Sequence, residues 1–279
     1  MFGHAGGLRG CRAVALPGKR GLILGVANDR SIAWGIARFL HDHGAELAFT
    51  YQGEAFEKRV RPLAESVASP LVLPCDVEQR DDLASVFGAI GEKWGGLDFV
   101  VHSLAYSSKE ELTGRYMDTS AENFSRTLHI SCFSFTETAR LARPLMAGQG
   151  GSLITLSFYG AERVLPSYNV MGVAKAALEA SVRYLAADLG PENIRVNALS
   201  AGPMRTLAGS AIGGARKIFR QAEANAPLRR AVTLDQLGGA ALYLLSDLSG
   251  GVTGEAHHVD AGYHVVGLPY LTGSGDNGS

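Results

Sequence analysis

A phenol and an ammonium seven residues apart, Tyr168 and Lys175, are the pair in this sequence best equipped for chemistry. On a helix that spacing is nearly two turns, which leaves both groups on one stripe, about 10 Å apart along the axis, with Met171 and Gly172 between them. A lysine favours the anionic form of neighbouring groups, strengthens a tyrosine hydroxyl as a donor and can hold sugar hydroxyls. The pair is therefore suited to stabilising a developing oxyanion. The same spacing also describes an ordinary amphipathic helix surface, so the elements around it must decide.

Those elements are legible. Leu153-Ile154-Thr155-Leu156 reads as a buried strand, Pro166 closes the loop after it, and Ser167 is placed to cap a helix running to Gly190-Pro191. Upstream, Gly21 to Leu24 is a short buried strand. Gly25 opens a turn, and Ser31 caps a helix with Ile32, Ile36, Phe39 and Leu40 on one face, ending at Gly44. A strand, a glycine turn and a helix N-terminus form a place where backbone N–H groups and the helix dipole hold a dinucleotide pyrophosphate. The spacing Gly25 to Gly35 lacks the common G-x-G-x-x-G pattern, so this turn alone is a weak signal.

The second strand, Leu47 to Tyr51, ends at Gln52 where an acidic residue usually accepts from the adenosine ribose. No arginine stands directly beside it, which favours NADH over NADPH, although Lys58 and Arg59 are near in sequence. After a helix over Phe56 to Ser66, the strand Leu71 to Leu73 runs into Cys75-Asp76-Val77. Asp76 is placed either to accept from the adenine amino group or to cap the helix Leu83 to Trp94. A fourth strand, Leu97 to His102, leads into Ser103, and order reversal between first and fourth strands would bring this end beside the Gly25 turn. A long helix over about 121–146 follows, with Phe124, Leu128, Cys132 and Phe135 as packing residues. A sixth strand over Ile194 to Leu199, a helix over Leu234 to Leu245 and a strand over Ala256 to Val259 complete the pattern. This predicts one α/β domain, residues 18–268: a doubly wound, Rossmann-like parallel sheet of about seven strands. Segment 203–226, rich in Ala and Gly, leaves the same sheet edge and reads as a lid.

Composition excludes other classes. Over 279 residues the net charge is −1, which gives no electrostatic footprint for nucleic acid or an anionic membrane, and no apolar run is long enough to span a bilayer. Cys11, Cys75 and Cys132 show no CxxC pairing and suggest a reducing, cytoplasmic setting without a bound metal. His41, His43, His257 and His258 have no acidic or cysteine partner at ligand spacing and read as structural. Residues 1–17 carry no secretory signal and read as a disordered extension, and residues 269–279 as a flexible tail.

Several segments together resemble the bacterial enoyl-acyl-carrier-protein reductases, a divergent branch of the short-chain dehydrogenase/reductase superfamily. They are Gly25-x5-Ser31-Ile-Ala-x-Gly35, Glu46-Leu-Ala-Phe-Thr-Tyr-Gln52, His102-Ser103, Gly160-Ala-Glu-Arg163, Tyr168-Asn-Val-Met-Gly-Val-Ala-Lys175 and Ser200-Ala-Gly-Pro203 with Arg205-Thr206. Common short-chain dehydrogenases place the tyrosine four residues before the lysine, where this chain has Met171. The resemblance implies reduction of trans-2-enoyl thioesters by NADH in fatty acid elongation. It implies that Gly25, Val26, Ser31 and Ile32 hold the pyrophosphate, with Gln52 by the adenosine and Asp76 and Val77 by the adenine. Ser103, Leu104 and Ala105 would lie along the nucleotide, Lys175 would hold the nicotinamide ribose, and Pro203, Met204 and Thr206 would line the nicotinamide. Tyr168 would donate to the thioester carbonyl, and Met171, Ala208 and Ile212 would face the acyl chain.

The resemblance also implies acyl-carrier protein as partner, with Arg205, Arg216, Lys217 and Arg220 as candidates to meet it, and a homotetramer with Gly172, Ala176 and Ala180 in close helix contact. One departure concerns the substrate wall. Phe158 stands where bacterial members commonly carry a second tyrosine, with Tyr159 following, and mycobacterial long-chain relatives share the phenylalanine. Two other readings are weighed against this one. A 3-ketoacyl or small-carbonyl reductase would need a tyrosine at Met171, and a dinucleotide sensor without turnover would have no need of Tyr168 and Lys175.

Overall fold

The computed structural model describes residues 16–204 and 215–268. Its centre is a seven-stranded, all-parallel sheet in the order β3-β2-β1-β4-β5-β6-β7. The strands are β1 (Arg20–Leu24), β2 (Glu46–Tyr51), β3 (Leu71–Pro74), β4 (Phe99–His102), β5 (Gly151–Phe158), β6 (Ile194–Ala201) and β7 (Ala256–Val259). Helices α1 (Ile32–Asp42), α2 (Gly53–Ser66), α3 (Asp82–Trp94), α4 (Ala121–Leu128), α5 (Ser134–Met146), α6 (Asn169–Leu189), α7 (Ala215–Asn225) and α8 (Leu234–Leu245) lie between and beyond them. The order reverses between β1 and β4, as expected. Leu24 sits in register with His102, so the chain leaves both strands at the same edge.

Because side chains alternate along a strand, each strand feeds two cores. Leu22, Leu24, Val100, Leu153 and Val196 pack against α3, α5 and α6. Ile23, Leu47, Phe49, Val101 and Ile154 pack against α1, α2 and α8 on the opposite face. Burial on both faces explains why these strands read as unbroken apolar runs. Helices α1 and α8 approach closely because both carry glycine at the contact. A Cβ on Gly35 would fall 2.7 Å from Leu234, and one on Gly238 would fall 2.5 Å from Phe39.

Three expectations need correction. The long helix over 121–146 is divided by a π-turn at His129–Phe133. The extra residue shifts the helical phase, so Asn123 and Thr127 are buried before it while Phe124 and Leu128 are half-buried; Cys132 and Phe135 are buried as expected. The helix expected to be capped by Ser167 starts later, with Tyr168 at the N-cap and Ser167 at φ +60°. Leu16, expected within an extension over 1–17, belongs to the core. Leu16 is buried, and its N–H donates to the His43 carbonyl at 2.7 Å. Gly172 also makes a close contact within the chain, since a Cβ there would meet the Gly160 carbonyl at 2.9 Å.

Candidate active site

A cleft of about 540 Å³ opens at the carboxyl edge of the sheet, where the β1 and β4 loops meet. Gly25 makes that meeting possible. It has φ +93°, and a Cβ would lie 2.2 Å from the Ser103 carbonyl oxygen, so only glycine lets the two loops touch. Gly25, Val26 and Ile32 line one side of the cleft, and Ser103, Leu104 and Ala105 continue it. Ser31 is the N-cap of α1 as expected, but its side chain braces the loop rather than lining the cleft. Its hydroxyl donates to the Asn28 carbonyl at 2.6 Å and accepts from the Ala27 N–H at 3.4 Å.

Gln52 is the N-cap of α2 and lines the cleft beside Tyr51 and Phe56. The basic residues that follow are engaged elsewhere. Arg61 pairs with Glu57 at 2.5 Å, Lys58 lies 3.9 Å from Glu54, and Arg59 sits over the Phe56 ring. Asp76 neither lines the cleft nor caps α3, whose N-cap is Asp81; its carboxylate accepts from the Glu78 N–H at 3.0 Å. Val77 belongs to the core, and its carbonyl meets the His129 ring at 2.9 Å. Cys75, two residues earlier, is on the cleft wall, with its thiol pushed up to about 12 by burial and by nearby carboxylates.

Tyr168 and Lys175 both line the cleft. The Tyr168 ring rests on Gly160, where a Cβ would fall 2.4 Å from the ring, and Phe158 packs edge-on against it. Burial, with a smaller contribution from Glu179, raises the phenol above its ordinary value. It therefore stays protonated, and among the described residues its hydroxyl has no hydrogen-bond partner.

The Lys175 ammonium donates to the Leu156 carbonyl at 2.6 Å, and burial pushes it down to about 8. Beneath it, His102 is fully buried between Thr155 and Ser134, at 2.9 Å from each hydroxyl. The Ser134 hydroxyl donates to the Ile130 carbonyl, so it must accept from His102 Nε2–H, which leaves Nδ1 to accept from Thr155. Burial, then the nearby Lys175, lowers the imidazole to about 3 and keeps it neutral.

The remaining walls come from β6 and α7. Pro203 and Met204 line the cleft as expected, and Phe219 of α7 adds a ring that the sequence did not single out. Phe158, Met171 and Leu112 make an apolar side toward Tyr168. Tyr159 turns away and packs edge-on against Tyr263, so it does not replace a hydroxyl at Phe158. Thr206, Ala208, Ile212 and Arg205 lie outside the described residues, as do residues 1–15 and 269–279 and the side chains of Arg216 and Lys217. Among the described residues no group of three or more His, Cys, Asp or Glu is arranged to hold a metal, and no helix is long and apolar enough to cross a membrane.

A doubly wound parallel sheet with a glycine-floored cleft at its switch point defines a dinucleotide-binding α/β protein. The family model for enoyl-(acyl carrier protein) reductase matches residues 25–264. The chain is 62% identical over 254 residues to enoyl-acyl-carrier-protein reductase (NADH) 2 of Rhizobium meliloti strain 1021, covering 91% of this chain and 94% of that one. Among solved structures, FabI from Candidatus Liberibacter asiaticus superimposes with a TM-score of 0.89 at 56% identity, covering 91% and 98%. The enoyl-acyl-carrier-protein reductase of Anaplasma phagocytophilum in complex with NAD gives a TM-score of 0.87 at 57% identity, covering 92% and 95%. The chain belongs to the enoyl-acyl-carrier-protein reductase family.

Proposed function

We propose that this chain reduces the carbon–carbon double bond of trans-2-enoyl-acyl-carrier-protein thioesters with NADH, as a step of fatty acid elongation. The observation that carries the reading is that the free Tyr168 hydroxyl and the Lys175 ammonium share one cleft with the Gly25–Ser103 contact. That cradle fits a dinucleotide: its floor admits no side chain, and the N-terminus of α1 opens beside it.

NADH, when bound, supplies the hydride that reaches the substrate β-carbon. The residues of the chain do the rest. Gly25, Val26 and Ile32 would hold the pyrophosphate, and Gln52, Tyr51 and Cys75 would flank the adenosine. With one donor on Leu156, the Lys175 ammonium keeps two N–H groups for ribose hydroxyls. Tyr168 donates to the thioester oxygen as negative charge develops there, and its raised pKa keeps it a donor rather than an anion. The resulting enolate takes a proton from solvent at the α-carbon, so one hydride and one proton are added across the double bond. Phe158 and Met171 present apolar surface to the acyl chain, and the Phe219 ring adds to the same cleft.

NADH rather than NADPH is favoured because Gln52 itself is uncharged and the nearby arginines are engaged: Arg61 pairs with Glu57 and Arg59 lies over Phe56. The acyl-carrier protein is proposed to dock near α7, where Arg220 is exposed. A homotetramer is the assembly the family resemblance implies, with Ala176 of α6 exposed and available for helix contact. A cytoplasmic setting is supported by the free, buried thiols of Cys75 and Cys132.

The test is consumption of reduced nicotinamide with crotonyl and dodecenoyl thioesters, each with NADH and NADPH. Turnover with NADH, with saturated thioester as product, is expected; binding of NADH without turnover would replace this reading with a dinucleotide sensor. Light scattering reports the assembly, and Arg220→Glu should raise the KM for carrier-bound substrate at low salt while leaving the KM for coenzyme A thioesters unchanged.

A further inference from the structure

Glu179 is a buried carboxylate for which the chemistry above has no use. It lies one helical turn beyond Lys175, on the same face of α6, and both side chains reach consecutive residues of β5. Lys175 Nζ donates to the Leu156 carbonyl at 2.6 Å, and the Ser157 hydroxyl donates to Glu179 Oε1 at 2.5 Å. The two contacts close a ring: Lys175 to Glu179 through one turn of helix, Glu179 to Ser157 by hydrogen bond, Ser157 to Leu156 by a peptide bond, and Leu156 back to the ammonium.

The ring matters because the Leu156 carbonyl is the acceptor that aims the ammonium at the cleft. β5 pairs with β4 only as far as Thr155 while its pairing with β6 runs on to Phe158, so Leu156 lies where the strand has lost one of its two neighbours. Glu179 anchors that stretch from the helix that carries Lys175 itself. Its neighbours are Glu162 on the turn after β5, His258 on β7, and Arg183 and Lys175 on α6; Lys175 in turn faces Cys132 of the π-turn and His102 of β4. Burial raises the Glu179 carboxyl while the Ser157 bond lowers it.

We infer that Glu179 is a positioning residue for the reductase: acting through Ser157, it fixes the Leu156 carbonyl and so holds the Lys175 ammonium where it meets the cofactor. This rests on the reading of Lys175 as the ribose-holding group. A short, buried hydrogen bond to a carboxyl group is among the stronger polar contacts, so its loss is measurable.

The experiment compares full-length Ser157→Ala, Glu179→Ala, Glu179→Gln, the Ser157→Ala/Glu179→Ala double variant and Lys175→Ala, reading NADH dissociation constant, KM for NADH, kcat and thermal midpoint. Ser157→Ala and Glu179→Ala should each weaken NADH about tenfold, with kcat changed less, and the double variant no further, because both remove one interaction. Glu179→Gln keeps an acceptor for Ser157 and should restore NADH affinity. If Glu179→Ala does not fold, Ser157→Ala carries the same comparison. NADH affinity at the wild-type level in Ser157→Ala while Lys175→Ala is weakened would overturn the positioning role alone. Wild-type affinity in Lys175→Ala would overturn the ribose role on which it rests.

Discussion

The ring of Phe158 meets the ring of Tyr168 edge-on, with centroids 5.2 Å apart and planes at 72°. Such a pair contributes about 0.5–1.5 kcal/mol beyond its buried area, and here it also fixes the direction of the phenol. Phe158→Ala should therefore lower kcat more than it raises the KM for NADH. Phe158→Tyr keeps the ring and adds a hydroxyl to an apolar wall, so kcat should stay within a few-fold. The ratio of kcat/KM for dodecenoyl over crotonyl substrate should fall, and steady-state kinetics on the two thioesters read both effects.

Gly160 supports the other side of the same ring. A Cβ there would lie 2.4 Å from Tyr168, so Gly160→Ala must displace the phenol. The expected result is a kcat loss of about tenfold or more with unchanged NADH affinity, since misplacing a catalytic group by a fraction of an ångström is costly. Gly25→Ala should do the reverse. Its Cβ would strike Ser103 at a backbone conformation that disfavours side chains, so NADH binding and thermal stability should fall together.

Lys175 sets a pH limit. Its pKa in the folded protein is about 8, below the ordinary 10.5, because burial disfavours the ammonium. kcat/KM for NADH, which reports the free enzyme, should fall as pH rises through about 8. Lys175→Arg should remove that alkaline limb. For stability the sign is opposite: between about 8 and 10.5 the unfolded chain binds more protons at this site, so its contribution to stability rises with pH.

His102 acts at the acid end. Its pKa is about 3 when folded against an ordinary 6.5, so the unfolded chain takes up the proton first as pH falls. Its contribution to stability is lost progressively between about 6.5 and 3. His102→Gln should be less stable at neutral pH, through loss of the Thr155 and Ser134 bonds, yet show a shallower decline in thermal midpoint over that range.

The sheet was legible because strands buried on both faces leave apolar runs punctuated by glycine, as at Gly21–Gly25, and because Ser31 stands at a helix start. The cleft was legible wherever a residue leaves a strand at the carboxyl edge, as Ser103 and Pro203 do. What was hidden depends on contacts between distant segments. A π-turn at His129–Phe133 is a change of hydrogen-bond register with no signature in residue type. Asp76 and Cys75 are neighbours, and only the path of the chain after β3 decides that the thiol, not the carboxylate, lines the cleft. Ser157 and Glu179 are 22 residues apart and meet only because α6 crosses the end of β5.

The central claim is that the unpartnered Tyr168 hydroxyl donates to the thioester oxygen while Lys175 holds the cofactor. The most direct measurement is kcat and NADH dissociation constant for Tyr168→Phe beside wild type, on an enoyl thioester. The account predicts a fall in kcat of about 100-fold or more, the size expected for one oxyanion donor, with NADH affinity unchanged. A kcat within a few-fold of wild type would contradict it, since the hydroxyl would then have no part in the transition state.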